Sequence, residues 1–245
     1  MDVSTPACGE HEILVRVLTT TVNRTDCAML RAKPFIMRFL TGLFKPKNPI
    51  LGTDFAGEVE TVGKNVESYT IGDRIFGFGD EGLSSHAQYL SISPNKAIAK
   101  IPDNQSFQEA VACLEGAHYA INMYNKIKLK PGHRVLVNGA TGAIGSAALQ
   151  LGVYYGATVD AVCNTKNVDL IRSLGASNIF NYEKQDFTKS GEKYDFILDA
   201  VGKSTFGLCK PLLNPGGVYM SSELGPGGQK IFYALFTPLF SNNGS

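Results

Sequence analysis

The chain has no cysteine pair at disulfide- or metal-forming spacing, no excess of either charge, and no long apolar run. Its five cysteines (Cys8, Cys27, Cys113, Cys163, Cys209) stand far apart, with no C-x-x-C anywhere. That excludes a disulfide frame and a structural zinc lobe, and fits a chain kept reduced. Net charge is +1, from 23 Lys and Arg against 22 Asp and Glu, with the signs interspersed. No nucleic-acid or acidic partner is expected. Residues 231–240 form the most apolar run, but it is short and contains Pro238, so no membrane span is expected. The N-terminus shows no uninterrupted apolar signal segment. Neither a solenoid repeat nor a low-complexity tract is present. The location expected from these absences is cytoplasmic.

What is present is ample core material: 44% of residues are hydrophobic, enough over 245 residues for one large domain or two. The two halves read differently. From Ile13 to about Ile101, short β-rich runs alternate with Gly and Pro, the pattern of a small β-barrel or sandwich. The apolar, basic segment 34–49 interrupts them. It reads as a loop or short helix packed on the barrel, a substrate flap, or a membrane-surface contact. From about Gln105, strands at 134–138, 158–162, 178–181, 196–200 and 217–221 alternate with helices at 144–155, 167–174 and 204–213. That is a parallel sheet covered on both faces.

The segment Gly139-Ala-Thr-Gly142-Ala-Ile-Gly145 follows the first of these strands and opens the first helix. A strand stopping at a glycine turn, with helix N–H groups facing outward, suits the pyrophosphate of a dinucleotide. The bland alternative is an ordinary glycine turn. At the end of the second strand an acidic side chain would bond a ribose 2′-hydroxyl, whereas a 2′-phosphate needs cations and hydroxyl donors. Asp160 is the acidic candidate, but it lies mid-strand, about 13 Å short of Asn164 at ~3.3 Å per residue. Asn164, Thr165 and Lys166 at the strand end suit a phosphate, so NADPH is expected ahead of NADH.

Ordered blocks along nearly the whole chain resemble the medium-chain dehydrogenase/reductase superfamily in its zinc-free, quinone-oxidoreductase (zeta-crystallin-like) branch. They are TTTVNRTD (19–26), NPILGTDFAGEVETVG (48–63), GDRIFGF (72–78), EGAHYA (115–120), KPGHRVLVNGATGAIGSAALQLG (130–152), VCNTKNVDLIRSLGA (162–176), DFILDAVG (195–202) and LNPGGVYM (213–220). The resemblance implies a GroES-like catalytic β-barrel over 1–105 and an α/β Rossmann domain, a doubly wound parallel sheet, over 106–245, with the active site in the cleft between them. It also implies truncation at both ends, since relatives carry an earlier strand and continue with a sixth Rossmann strand.

By that resemblance, Thr141, Gly142, Ala143 and Ile144 contact the pyrophosphate, Tyr182 contacts the 2′-phosphate, and Val201 and Gly202 lie near the nicotinamide ribose. Asp199 beside them is equally readable as a buried turn residue. Where zinc-dependent relatives place cysteine and histidine ligands, this chain has Asn23 or Asp26, Thr53 and Leu114. No metal is therefore expected, the alternative being a chance set of Asp26, Asp54, Cys113 and His118. Without a Lewis acid to lower an alcohol's pKa, hydride delivery to quinones or α,β-unsaturated carbonyls is favoured.

Asn23 would donate to the substrate oxygen or position the nicotinamide, or else simply cap a turn. Asp26 would orient Asn23 or a water, or cap a helix beginning near Cys27. His118 stands where relatives often have threonine and would supply a proton, or is a core histidine. His86 and His133 receive no role, and Glu115 none that is firm. The usual pocket tyrosine after the first block is absent at Cys27–Met29. The expected partners are a small-molecule substrate and, as an option, a second copy in a homodimer. The alternatives to an NADPH-dependent quinone or enone reductase are a non-catalytic NADPH-binding protein, an inactive fragment and, last, a zinc-dependent alcohol dehydrogenase.

Overall fold

The computed structural model describes residues 3–32, 42 and 49–222. Most of the 34–49 segment and all of 231–240 lie outside the described residues. The chain packs as two compact units, Met1–Glu115 and Gly116–Ser245.

The first unit is built on an antiparallel sheet of β1 (Ile13–Thr19), β2 (Asp54–Val62), β3 (Arg74–Phe78), β4 (Tyr89–Ile92) and β5 (Ile98–Lys100), in the order β4-β1-β2-β3-β5. Alternation puts Ile13 and Val15 of β1 inward while Arg16 points out and pairs with Glu58 at 2.6 Å. One apolar cluster draws on every strand: Ile13, Val15, Phe55, Val59, Ile75, Leu90 and Ile92 are buried in it, with Ile98 packed alongside. Register shifts at Leu14/Val15 and Val17/Thr19 bend β1.

Strand β2 does not alternate at its start, because both its faces are covered. Ala56 packs with Ile101, Ala110 and Val111, the last two from helix α2 (Phe107–Ala112). Ser106 and Glu109 form the capping box that starts α2. Helix α3 (Leu114–Ile127) follows directly.

In the second unit, β6 (Arg134–Asn138), β7 (Thr158–Cys163), β8 (Asn178–Asn181), β9 (Tyr194–Asp199) and β10 (Leu213–Ser221) form a parallel sheet, ordered β10-β9-β6-β7-β8. Helices α4 (Ala143–Tyr154), α5 (Val168–Ser173) and α6 (Phe206–Cys209) connect the strands. Val135 and Val137 of β6 pack on one face with Ala120, Leu149 and Ile171, while Leu136 packs on the other with Ile197, Cys209 and Leu212. Both faces are therefore covered, which accounts for the nearly continuous apolar strands.

The expected helix over 204–213 ends early. Helix α6 stops at Cys209 and continues as a 3-10 turn, Lys210–Leu212, because Pro211 has no N–H for an α-helical bond. Pro215, Gly216 and Gly217 lie inside β10 as an irregularity: Leu213 pairs with Tyr194, and pairing resumes only at Val218 with Phe196.

Gly139 and Gly145 hold the strand–helix junction close. Gly139 has φ +83°, and a Cβ there would sit 2.4 Å from Val201. A Cβ on Gly145 would sit 2.1 Å from the carbonyl oxygen of Gly139, which is backbone and cannot yield. On Gly142 a Cβ would meet nothing nearer than 3.7 Å. Gly145→Ala is therefore expected to destabilise the chain by about 1–3 kcal/mol in urea unfolding. Gly142→Ala meets no clash and should cost less, about 0.5–1 kcal/mol, from the poorer N-cap preference of alanine. Equal costs would contradict this packing.

Candidate active site

The end of β6 leads into a turn whose donors are unclaimed by side chains. Gly142 is the N-cap residue of the twelve-residue helix α4, and no side chain caps it. Thr141, Gly142 and Ala143 are exposed and Ile144 is half-buried. The first N–H groups of α4 and its positive dipole end thus face outward over residues without bulk.

Asp199 ends β9 with no exposed surface. Its Oδ1 accepts the Asn138 side-chain amide (3.1 Å) and the backbone N–H groups of Val201 (3.3 Å) and Gly202 (3.0 Å). Its Oδ2 accepts the Ser204 N–H (3.2 Å) and the Tyr219 hydroxyl (2.9 Å). Burial, and then the charge of Asp199, push the Tyr219 phenol well above its ordinary value, so it stays a donor. The turn carrying Val201 and Gly202 is therefore held from beneath by one carboxylate.

At the other side of the sheet, β7 runs to Cys163, so Asp160 is mid-strand. Asp160 is 2% exposed and accepts from Arg134 at 3.2 Å and the Tyr194 hydroxyl at 2.8 Å. Its carboxylate is committed inside the sheet. Beyond Cys163, the Asn164 side chain accepts from that of Asn167, and Lys166 is exposed. Tyr182 is 59% exposed, and its backbone N–H bonds Cys163 O at 3.0 Å. Asn181 donates to the Thr165 hydroxyl at 2.8 Å.

One residue here escaped the sequence reading. Oε2 of Glu183 accepts from both the Thr165 N–H (3.1 Å) and the Thr165 hydroxyl (2.5 Å). These bonds hold its carboxyl below the usual carboxylate range, with Lys166 and Lys184 adding to the effect. The available signal was an acidic residue directly after Tyr182.

In the first unit, Asn23 and Asp26 come together as a capping box on helix α1 (Arg24–Arg31). Asn23 Oδ1 accepts the Asp26 N–H at 3.0 Å, and Asp26 Oδ2 accepts the Asn23 N–H at 3.1 Å. The helix thus starts three residues before Cys27, and Asn23 is its cap. Asp26 bonds back to that cap from the first turn, so its expected place as cap of a helix near Cys27 is corrected. Asn23 Nδ2 also donates to Thr53 at 2.7 Å.

Asp26 is 2% exposed, and its Oδ1 has no hydrogen-bond partner among the described residues. His86 Nε2 lies 3.0 Å from Thr21 O and 3.7 Å from Asp26 Oδ2. Asp54, wholly buried, accepts from the Thr21 N–H and from the hydroxyls of Thr20 and Thr21. Cys113 is exposed. Among the described residues, no three His, Cys, Asp or Glu side chains are grouped to hold a metal. His118 lies on α3 in the second unit, half-buried, with Nε2 3.0 Å from the Asn122 amide and its ring edge-on to Tyr119.

Asp199→Asn would turn an NH2 toward the Ser204 N–H, leaving donor facing donor there, while the Tyr219 hydroxyl can turn its proton to Ser204 O at 3.1 Å. A loss of about 2–4 kcal/mol in denaturant unfolding is expected. Glu115 provides a pH test. Burial raises its carboxyl above the ordinary range, the Thr25 hydroxyl opposes this, and the charges of Asp54 and Asp26 add to it. A raised folded value means the fold binds this proton more tightly than the unfolded chain does. That stabilisation is present in acid and is lost as pH rises through the folded value. Glu115→Gln keeps an acceptor for Thr25, so it should raise the Tm near neutral pH and leave it unchanged near about pH 4. A gain confined to acid would contradict the sign.

Residues 9–103 match the alcohol dehydrogenase GroES-like domain, and residues 143–243 match the zinc-binding dehydrogenase domain. A trans-enoyl reductase of Aspergillus terreus is 32% identical over 228 residues, which cover 86% of this chain and 62% of that protein. A chloroplastic quinone-oxidoreductase of Triphysaria versicolor is 27% identical over 242 residues, covering 92% of this chain and 70% of its own length. The structure of the quinone oxidoreductase from Coxiella burnetii superposes with a TM-score of 0.83 at 26% identity, covering 97% of this chain and 74% of that one. The chain thus spans less than two thirds of the Aspergillus relative. No helix among its described residues is long and apolar enough to cross a membrane. With a GroES-like unit followed by a parallel Rossmann-type sheet, the chain belongs to the medium-chain dehydrogenase/reductase superfamily and is quinone-oxidoreductase-like.

Proposed function

We propose that this chain binds NADPH and serves an oxidoreductase that reduces quinones or α,β-unsaturated carbonyls without zinc. The observation that carries this reading is the exposed N-terminus of the twelve-residue helix α4 behind Gly142, which no side chain caps. The N–H groups of Thr141, Ala143 and Ile144 would hold the pyrophosphate, and Gly142, whose own N–H bonds Gly139 O at 3.1 Å, would let it approach the backbone. Val201 and Gly202, fixed by Asp199, would border the nicotinamide ribose. Asn164, Thr165, Lys166 and Tyr182 would take the 2′-phosphate, and the commitment of Asp160 to Arg134 and Tyr194 supports NADPH over NADH. When bound, the nicotinamide supplies hydride.

The acceptor's oxygen gains negative charge as hydride arrives and needs a donor. Asn23 would use its second amide hydrogen, since the first goes to Thr53. Asp26 would orient Asn23 through the capping box, and His118 is the proposed proton source. The donor set supports a zinc-free centre: Asn23 or Asp26, Thr53 and Leu114 stand at the family ligand places, and Asp54 is taken up by Thr20 and Thr21. A domain division near residue 105, a small-molecule acceptor, a homodimer and a cytoplasmic location complete the proposal.

A second reading, NADPH binding without catalysis, is favoured by one observation: the Asn23 Oδ1 and one Nδ2 hydrogen already serve structure. NADPH oxidation measured with and without a quinone or enone separates the two. Saturable NADPH binding with acceptor-dependent oxidation is the expected outcome, and binding without oxidation would support the second reading. Asn23→Ser keeps the helix cap, so it should lower kcat roughly tenfold or more with little change in Tm.

A further inference from the structure

The donors assigned to the 2′-phosphate already hold an anion belonging to the chain. Both the N–H and the hydroxyl of Thr165 point at one oxygen of Glu183, at 3.1 and 2.5 Å. Asn181 Nδ2 donates to the Thr165 oxygen, which leaves the hydroxyl proton free for the carboxylate. The positive charges of Lys166 and Lys184 act on the same carboxylate. Its backbone is anchored: the Glu183 N–H bonds Asn181 Oδ1 at 3.1 Å, one residue after the Tyr182–Cys163 backbone bond. The Glu183 side chain is exposed, so it can rotate away on a fixed backbone without opening a cavity.

We propose that Glu183 is an internal competitor of the 2′-phosphate and sets the preference between phosphorylated and unphosphorylated dinucleotides. The inference rests on reading the Asn164–Lys166 and Tyr182 edge as the adenosine end of an NADPH site. A phosphate and a carboxylate are both acceptors and both negative, so they cannot share the Thr165 donors. NADPH must displace Glu183 before its 2′-phosphate engages. A ribose 2′-hydroxyl is a donor and can bond to Glu183 where it stands. The carboxylate therefore weakens NADPH binding and leaves NADH binding unharmed, which narrows the gap between the two.

Isothermal titration of the full chain with NADPH, NADH, adenosine 2′,5′-bisphosphate and 5′-AMP tests this. Glu183→Gln keeps the hydrogen-bond acceptor and removes the charge. It should tighten NADPH and the bisphosphate by about two- to fivefold, in line with an exposed charge interaction. NADH and 5′-AMP should not tighten, and the gain should shrink as salt rises. An unchanged or lowered NADPH-to-NADH affinity ratio in Glu183→Gln would overturn the proposal.

Lys166→Ala separates this from failure of the underlying reading. Selective weakening of NADPH places the 2′-phosphate at this edge. An unaffected NADPH affinity removes the edge, and the inference with it. Absence of any dinucleotide binding by the unaltered chain would remove the NADPH reading altogether.

Discussion

The carboxylate of Asp199 sits in the apolar interior at the end of β9 and gathers five donors from four directions. Burying a charge is expensive unless hydrogen bonds replace its water, and here two oxygens receive five of them. The geometry of the turns proposed to face the nucleotide depends on this one group. Asn138, its partner on β6, is also its in-register neighbour across the sheet and immediately precedes Gly139. Val201, bonded to the same carboxylate, fills the space a Gly139 side chain would need. The glycine turn and the Val201–Gly202 turn are thereby set against each other, and Tyr219 ties in the next strand.

The first unit uses buried carboxylates differently. Asp54 is fully served by two threonines, whereas Asp26 is served on one oxygen only. Glu115 lies close enough to both for their charges to oppose its ionisation. Of the three acids near the start of α1, Glu115 is the one whose ionisation burial and its neighbours oppose, while an apolar cluster of Ile, Val, Leu and Phe carries the sheet.

The parallel sheet was legible because each strand is a short apolar run bounded by Gly or Pro. All five strands lie where that pattern puts them, with β9 and β10 starting earlier than expected. The glycine motif was legible because strand, turn and helix occur in the right order around it. Helices α2 and α3 were not separated from their surroundings, although Ser106 and Glu109 carry a capping-box spacing. The start of α1 was misplaced because Asn23 was weighed mainly for chemistry, and its cap bond is invisible until Asp26 folds back onto it. Asp199 could be named as a turn residue, but its partners Asn138, Ser204 and Tyr219 are distant in sequence and only the fold assembles them. Glu183 was missed for the same reason: its partner Thr165 is on the neighbouring strand's loop.

The tight contact of Gly145 against Gly139 has a consequence for how this site could diversify. Strand β6, its turn and helix α4 meet backbone to backbone at Gly139 and Gly145, so the proposed pyrophosphate cradle has little room to adjust. Induced fit is excluded from the centre of the sheet and left to the periphery, where solvated side chains can change rotamer at little cost. Drift in cofactor choice among descendants of such a chain should therefore accumulate at the rim of the proposed nucleotide groove, while the glycine core stays frozen.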